Sequence, residues 1–324
     1  MSAISVSGLT KNYDGVLAND DVHFEVATGE IFGYLGPNGA GKTTTIRTLM
    51  GFQSPTSGTA TLLDADVHDE AAMVAAKERV GYLPSTPGFD ETATGNEVLD
   101  LHASLKGDAR RAELLEMFDV PIERAIRGYS TGQKQKLGLV QAFMHDPDVV
   151  VMDEPTAGLD PLVQQRFNEF VRGEKRSGTT IFLSSHVLSE VRRVCDRIGI
   201  IRDGRMVTVE NVEDLLHRSG KFVRVRVAAD IGPEAVGLDG VHDLSVRNVD
   251  ESYTESAIAA GTGTTVDTVT ELTFTYTGDF DSLIDFVDEY RVLELDVEEA
   301  PLEQVFMQFY GGESEATAAD EGDA

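Results

Sequence analysis

One stretch decides the fold: Gly36-Pro37-Asn38-Gly39-Ala40-Gly41-Lys42-Thr43, followed by Thr44. It fits the pattern of a glycine, four residues and then Gly-Lys-Thr, which forms a phosphate-binding loop. An apolar run over residues 31–35 leads into the loop as a strand should, and Ile46 and Leu49 follow it at helical spacing. This strand, loop and helix context predicts a nucleotide site rather than a glycine-rich turn.

The residue types of the loop explain how it would hold phosphates. Glycines adopt positive φ and let the backbone approach a ligand, so that successive N–H groups form an anion nest at a helix N-terminus. Lys42 supplies a charge for the β- and γ-phosphates, and the Thr43 hydroxyl can ligate Mg²⁺. The predicted nucleotide-binding residues of the loop are Gly36, Pro37, Asn38, Gly39, Ala40, Gly41, Lys42, Thr43 and Thr44.

The charge of the chain is extreme. Its 324 residues include 56 acidic and 27 basic side chains, a net charge of −29, and the acidic residues are scattered over the whole length. This composition resembles that of cytoplasmic proteins from salt-loving archaea, and self-repulsion in dilute buffer predicts that folding needs molar salt. The alternative is an acidic protein from an ordinary source. The charge also argues against a nucleic-acid partner, because phosphate backbones demand a basic patch.

Two further features concern location. The single cysteine, Cys195, cannot form an internal disulfide, which fits a reducing cytosol. The sequence shows neither a signal-like segment nor a run near the roughly 18 apolar residues that span a bilayer. We therefore expect a soluble, cytoplasmic chain that reaches the membrane only through a partner.

A second apolar run ends in two carboxylates. Residues 149–152 are apolar without alternation, which indicates a strand covered on both faces, as in a parallel sheet. Asp153 and Glu154 then lie at the carboxyl end of the strand, where such sheets bind ligands. Asp153 is placed to hold Mg²⁺, and Glu154 to accept a proton from an attacking water. The alternative is a pair of solvated acids.

Other candidate positions lie outside these two runs. Residues 180–186 are interpreted as another buried strand that ends in His186, which could hydrogen-bond a γ-phosphate or position water. Ser130 is a good helix N-cap and Gly132 leaves backbone N–H groups unobstructed, so this helix start could bind an anion; taken alone, it is only a capped helix. Tyr13 could stack on an adenine ring, or it could only pack against its neighbours.

Residues 1 to about 215 resemble the nucleotide-binding subunit of an ATP-binding cassette (ABC) transporter. Residues 36–43 are similar to the Walker A loop of that family, and residues 129–133 to its signature sequence. The strand that ends in Asp153 looks like Walker B, with Glu154 as the catalytic glutamate.

Three smaller motifs extend the resemblance. Gly158-Leu159-Asp160 is similar to the D-loop, His186 to the switch histidine and Tyr13 to the aromatic residue that stacks on adenine. A signature sequence before Walker B, with the histidine after it, is specific to this family, whereas the Walker A loop alone would allow any P-loop NTPase.

The resemblance implies an α/β fold with a parallel sheet core, an antiparallel N-terminal β subdomain and a helical signature subdomain at about 85–147. It implies an ATPase that uses ATP and Mg²⁺, with Glu154, His186 and Lys42 in catalysis. Two copies pair head to tail in this family, so Ser130, Gly132 and Gln133 would complete the ATP site of the partner copy. ATP closes the dimer and hydrolysis reopens it, next to a separate integral membrane permease at the inner face of the membrane.

One position departs from the family pattern. The family usually has Gln or Glu after Gly81-Tyr82-Leu83-Pro84, at the Q-loop, and this chain has Ser85. A serine is too short to reach towards Mg²⁺ and water without an intervening water molecule. Ser85 therefore leaves open a regulator that binds ATP and hydrolyses it weakly, although Glu154 favours an active enzyme.

The last third of the chain predicts a small α+β domain over 216–311, in which alternating apolar residues indicate strands and Pro301 can begin a last helix. Residues 250–268 look like a long loop, and residues 312–324 like a disordered acidic tail. The closing stretch 301–306 resembles the end of ABC-2 type exporter ATPases.

The leading hypothesis is an energy-coupling ATPase subunit of a transporter, and export is favoured over import. The chief rival is a soluble ABC ATPase that acts on ribosomes or DNA. Such proteins usually carry two cassettes or a long coiled-coil insertion, and this chain shows neither.

Overall fold

The computed structural model describes residues 1–218, 220–249 and 268–299. The chain divides into two units, Met1–Val212 and Glu213–Ala324. The helix predicted from Pro301 and the tail predicted over 312–324 lie outside the described residues, as does nearly all of the loop predicted over 250–268. Among the described residues, no helix is both long and apolar enough to cross a membrane.

The first unit alternates strands and helices. Its strands are β1 (Ser2–Tyr13), β2 (Val16–Ala27), β3 (Ile31–Leu35), β4 (Ser57–Leu62), β5 (Ala65–Asp66), β6 (Val80–Leu83), β7 (Val149–Asp153), β8 (Thr180–Ser185), β9 (Arg197–Arg202) and β10 (Arg205–Asn211). Its helices are α1 (Lys42–Leu49), α2 (Glu70–Lys77), α3 (Gly95–Lys106), α4 (Arg111–Phe118), α5 (Thr131–Phe143), α6 (Pro161–Ser177) and α7 (Leu188–Val194), with a 3₁₀ turn at Ile126–Gly128.

The central sheet has six strands in the order β10-β9-β3-β8-β7-β6. All neighbouring strands are parallel except β10, which closes the edge as a hairpin with β9. Every residue of β3, β7 and β8 is buried, as expected of central strands in a sheet covered on both faces. In register, Leu35 lies beside Ser185, and Ser184 beside Asp153. The carboxyl ends of these three strands therefore meet at one edge, where ligands bind in such sheets.

A second sheet is antiparallel, in the order β2-β1-β4-β5. Phe24 on β2 joins it to the central sheet, because its ring lies 5.4–5.7 Å from the rings of Phe32, Tyr34 and Phe182. These four side chains are part of one core cluster. Aromatic pairs at this separation stabilise a core beyond their buried area, so the two sheets hold a fixed relation beneath the phosphate loop.

The helical part between β6 and β7 contains α3, α4 and α5. The capping boxes Thr94/Glu97 and Ser130/Gln133 begin α3 and α5. Val98, Leu101 and Leu105 form an apolar stripe along α3. This stripe is not core, since Leu101 and Leu105 are 66% and 72% exposed. Their neighbour Leu99 is fully buried instead. The stripe is therefore a surface feature.

The second unit has a four-stranded antiparallel sheet in the order β12-β13-β11-β14. A helix, α8 (Val212–Arg218), precedes it, and its elements are β11 (Lys221–Val227), a 3₁₀ turn (Pro233–Ala235), β12 (Val241–Val249), β13 (Val269–Tyr276), α9 (Phe280–Asp288) and β14 (Val292–Glu299). Its core joins β11 and β13 with α9 through Val225, Phe274 and Leu283. The described residues of this part include four strands and the helix α9, and the small α+β domain predicted over 216–311 stays a prediction.

Candidate nucleotide site

The phosphate loop connects β3 to α1 and depends on glycine at specific positions. Gly39 and Gly41 have φ of 84° and 105°, a conformation that other residues rarely adopt. A Cβ atom on Gly41 would lie 2.2 Å from the Ala18 carbonyl oxygen, and one on Gly36 would lie 2.4 Å from the Ile201 carbonyl oxygen. No side chain caps the start of α1. The loop thus presents backbone N–H groups at a helix N-terminus, the arrangement that binds phosphate.

The Lys42 ammonium group is held inside this loop. The residue is 6% exposed, and its Nζ donates hydrogen bonds to the carbonyl oxygens of Gly36 at 2.6 Å and Pro37 at 3.2 Å. Nζ also lies 3.6 Å from Oε1 of Glu154. A buried cation with these partners is placed to meet the charge of a bound phosphate chain.

Thr43 and Asp153 form the donor set that a magnesium ion would need. The Thr43 hydroxyl donates a hydrogen bond of 2.9 Å to Oδ2 of Asp153, and Asp153 is only 2% exposed. The Ser184 hydroxyl donates to the other carboxylate oxygen, Oδ1. Hydroxyl and carboxylate oxygens are ligands that Mg²⁺ prefers, so the residues present fit this ion.

Glu154 follows Asp153 and has an unusual backbone. Its φ is 50°, in the left-handed region. Its carboxylate lies between two partners: Oε2 is 2.9 Å from Nδ1 of His186, and Oε1 faces Nζ of Lys42. The His186 ring is half exposed, whereas the Glu154 side chain is mostly buried. A carboxylate held in this way can accept a proton from a water beside a bound phosphate.

These groups surround a cavity of about 310 Å³. Its lining residues are Ala18, Pro37, Asn38, Gly39, Gly41, Lys42, Thr43, Thr44, Ser85, Asp153 and Glu154. The structure therefore brings together most of the predicted loop, the predicted metal pair and the predicted base. Gly36 and Ala40 belong to the loop but do not line the cavity, and Ser85 lies at its wall. His186 does not line the cavity either and reaches it only through its contact with Glu154.

Four predicted residues lie elsewhere. Tyr13 does not line the cavity; it is part exposed, its hydroxyl donates to Oε1 of Gln53 at 2.5 Å, and Nζ of Lys11 lies 5.1 Å from its ring centre. Its adenine-stacking role remains a prediction. The signature residues Ser130, Gly132 and Gln133 do not line the cavity either.

The signature residues lie at the start of α5, where Ser130 and Gln133 hydrogen-bond to each other. The Ser130 hydroxyl accepts a hydrogen bond from the Gln133 N–H at 3.2 Å, and Oε1 of Gln133 accepts from the Ser130 N–H at 3.0 Å. Gly132 packs on the D-loop, since a Cβ there would lie 2.6 Å from the Gly158 carbonyl oxygen. This end of the helix lies apart from the cavity of its own chain, and its anion-binding role stays a prediction.

Two residues that support the site were not predicted from the sequence. Ser184 holds Asp153, and its polarity within a buried strand is a signal that could have identified it. Glu190 on α7 accepts hydrogen bonds from Thr156 at 2.7 Å and Ser185 at 3.1 Å, which ties together the loops after β7 and β8. No local pattern predicts that second link, because it depends on how α7 packs.

The fold and this site define a P-loop nucleotide-binding protein, and comparison with known proteins narrows the class. Residues 19–157 match the model of the ABC transporter family. The chain is 35% identical over 231 residues to the bacitracin transport ATP-binding protein BcrA of Enterococcus faecalis, covering 69% of this chain and 74% of that one. It is 36% identical to the Nod factor export ATP-binding protein I of Ralstonia nicotianae, covering 66% of this chain and 68% of the relative.

A solved structure described as the ATP-binding subunit of an ABC transporter agrees with these relatives. It superposes with a TM-score of 0.61 at 31% identity, covering 67% of this chain and 93% of that one. The chain belongs to the ATP-binding proteins of ABC transporters. The predicted family and fold class are confirmed, and ABC ATPases of this kind bind ATP.

Proposed function

We propose that this chain is the ATP-hydrolysing subunit of an ABC-2 type exporter, in which two copies close on ATP and drive a separate membrane permease. One observation carries the proposal: the Glu154 carboxylate is held between Lys42 and His186 beside the phosphate cavity. A site for binding alone would not need an oriented base at this place.

The proposed chemistry assigns one task to each residue. Lys42 and the loop N–H groups bind the β- and γ-phosphates, Glu154 takes the proton of the attacking water, and His186 orients the Glu154 carboxylate. Thr43 and Asp153 would hold Mg²⁺, which when bound neutralises charge on the phosphate oxygens. Ser85 lines the same cavity and is too short to reach its centre directly, so we assign it no catalytic step.

Two copies of the chain are needed because one copy separates its two anion sites. The phosphate loop lines the cavity and the signature residues Ser130–Gln133 do not. A head-to-tail pair would place the signature of each copy over the cavity of the other. Such a pair has two equal sites related by a two-fold axis, the commonest symmetry of homodimers.

A surface groove on the helical part supports a membrane partner. A cavity of about 430 Å³ is lined by apolar side chains that include Phe89, Val98, Leu101 and Leu105. Exposed leucines at consecutive turns are unusual on a chain with a net charge of −29. We propose that an apolar cytoplasmic segment of the permease docks here and holds the subunit at the inner face of the membrane. The names of the relatives, bacitracin transport and Nod factor export, support an export direction.

The variant Glu154→Gln tests the proposed function. Removal of the base should lower ATP turnover about 100-fold or more, while ATP binding and ATP-dependent dimerisation persist. Phosphate release measures turnover, and light scattering with and without ATP measures the dimer. The matched control is Glu169→Gln, an exposed acid on α6, which should leave turnover unchanged. Unchanged turnover in Glu154→Gln would refute the assigned base.

A further inference from the structure

A buried polar side chain joins the signature helix to the catalytic glutamate of the same chain. Gln135 lies in the second turn of α5 and is 1% exposed. Its amide Nε2 donates hydrogen bonds to the carbonyl oxygens of Glu154 at 3.3 Å and Pro155 at 3.1 Å. Gln135 does not line the phosphate cavity, and its amide instead contacts the backbone of the catalytic loop.

The carbonyl that Gln135 contacts belongs to a residue in a strained conformation. A non-glycine residue in the left-handed region costs on the order of 1–2 kcal/mol, so neighbours must hold Glu154 at its φ of 50°. Its N–H donates to the carbonyl oxygen of Ser184 at 3.1 Å and to the Ser184 hydroxyl at 3.3 Å. Its carbonyl accepts from Ala157 N–H at 3.1 Å and from Gln135. Loss of one of these bonds would free the backbone that aims the carboxylate.

A second contact ties the same two segments together. Gly132, in the signature, lies so close to the Gly158 carbonyl that a Cβ atom would meet it at 2.6 Å. Gly158 itself has φ of 74°. Residues 130–135 and 154–158 are therefore linked at two points, one by packing and one by hydrogen bonds. A shift of the start of α5 cannot leave the catalytic loop unchanged.

We propose that Gln135 is a positioning residue that reports the state of the signature to Glu154 of the same chain. The inference rests on the proposed function, in which the signature binds the phosphates of the partner copy. Closure on that ATP pulls the start of α5, and Gln135 transmits the movement to the backbone of Glu154. Hydrolysis at one site thus depends on occupancy of the other, and turnover is cooperative in ATP.

The test compares Gln135→Met, which keeps the length but removes the amide donor, with Gln141→Met on the same helix. Gln141 contacts His102 and not the catalytic loop, so it controls for loss of an amide in α5. We expect Gln135→Met to lower kcat about tenfold and the Hill coefficient towards one, while the affinity for ATP is unchanged. Gln141→Met should change neither kcat nor cooperativity.

A second variant covers the case in which Gln135→Met fails to fold. Gln135→Asn keeps the amide but shortens the side chain by one methylene. We expect it to lower kcat and the Hill coefficient as well, but by less than Gln135→Met. Cooperative turnover retained in the folded Gln135 variants would overturn the Gln135 proposal alone. A wild-type chain that neither dimerises with ATP nor shows cooperative turnover would instead overturn the proposed function.

Discussion

Two helix starts in this chain are predicted to bind phosphate, and they differ in which groups hydrogen-bond to the N–H groups of their first turn. At α1 the N-cap is Gly41, and no side chain caps the helix. At α5 the N-cap is Ser130, and the reciprocal bonds with Gln133 complete a capping box. The first lies in the wall of a cavity beside Lys42 and Asp153, whereas the second lies outside that cavity.

The difference indicates two kinds of binding. Since the N-terminal N–H groups of α1 have no competing side chain, a phosphate meets a ready-made nest there. At α5 the Ser130 hydroxyl already accepts the Gln133 N–H, so a phosphate must compete with an internal partner. We infer that α1 binds ATP first and that α5 engages only when a second chain closes over it.

The largest expected effect comes from adding a methyl group to the phosphate loop. Gly41→Ala should lower ATP affinity about 100-fold or more, because the new Cβ would lie 2.2 Å from the Ala18 carbonyl oxygen in a strained backbone. Gly178→Ala, at the end of α6, is the matched control, since Gly178 has a similar φ of 101° and no atom within 4 Å but lies outside the phosphate loop. It should leave ATP affinity unchanged, because its backbone strain does not reach the loop. Equilibrium binding of a fluorescent ATP analogue measures both, and equal losses would contradict this account of the loop.

The second-largest effect is a loss of ATP turnover that distinguishes the signature from an ordinary helix cap. Ser130→Ala and Thr94→Ala each remove the cap of a capping box, and each should lower the free energy of unfolding by about 1 kcal/mol. Only Ser130→Ala should reduce ATP turnover, by about tenfold or more, because Thr94 begins α3 and binds no phosphate in the proposed dimer. Urea unfolding and phosphate release give the two readouts. An equal loss of turnover in Thr94→Ala would show that Ser130 acts through folding alone.

The smallest effect is a pH dependence of the helical part that carries α5. His102 and His145 pack with ring centres 5.4 Å apart, and within the described residues His102 Nε2 and both ring nitrogens of His145 have no hydrogen-bond partner. Burial, with a smaller contribution from the Lys106 ammonium, lowers the pKa of each histidine from 6.5 to about 4. Because the folded pKa lies below the unfolded value, the neutral pair stabilises the fold fully above pH 6.5. That contribution is lost as the pH falls from 6.5 towards 4.

The double variant His102→Gln/His145→Gln should therefore lose less stability than wild type between pH 6.5 and 4, as urea midpoints will show. His68→Gln, at an exposed histidine, is the control and should follow wild type. A double variant whose midpoint falls in parallel with wild type would exclude the pair as the titrating groups.

Much of the fold could be predicted from the sequence because the informative patterns are local. The glycine spacing at 36–43 and the apolar residues 149–152 and 181–183, which precede Asp153 and His186, predict strands whose ends meet, and the structure places them at one edge. The exposure of Leu101 could not be predicted from the sequence, because an apolar stripe at helical spacing is as typical of a core face as of a docking surface. Only the packing of α3 decides between them.

The supporting contacts of the site were harder to predict for a different reason. Gln135 and Glu154 are far apart in sequence, and the left-handed backbone of Glu154 is set by bonds from other elements rather than by its residue type. Nothing in the residues around Glu154 signals this conformation. The family resemblance identified the carboxylate, and the structure adds what holds it in place.

The central claim is that each ATP site is built from two chains, and mixing two inactive variants tests it most directly. Glu154→Gln lacks the base, and Ser130→Arg fills the signature with a bulky cation, so each variant alone should hydrolyse almost no ATP. Combined in equal amounts before ATP is added, they should recover turnover well above that of either variant and at most about one quarter of wild type. Half of the dimers are mixed, and each contains one intact site of two, whose Glu154 lies in the Ser130→Arg chain. A mixture that stays as inactive as its separate components would contradict the claim.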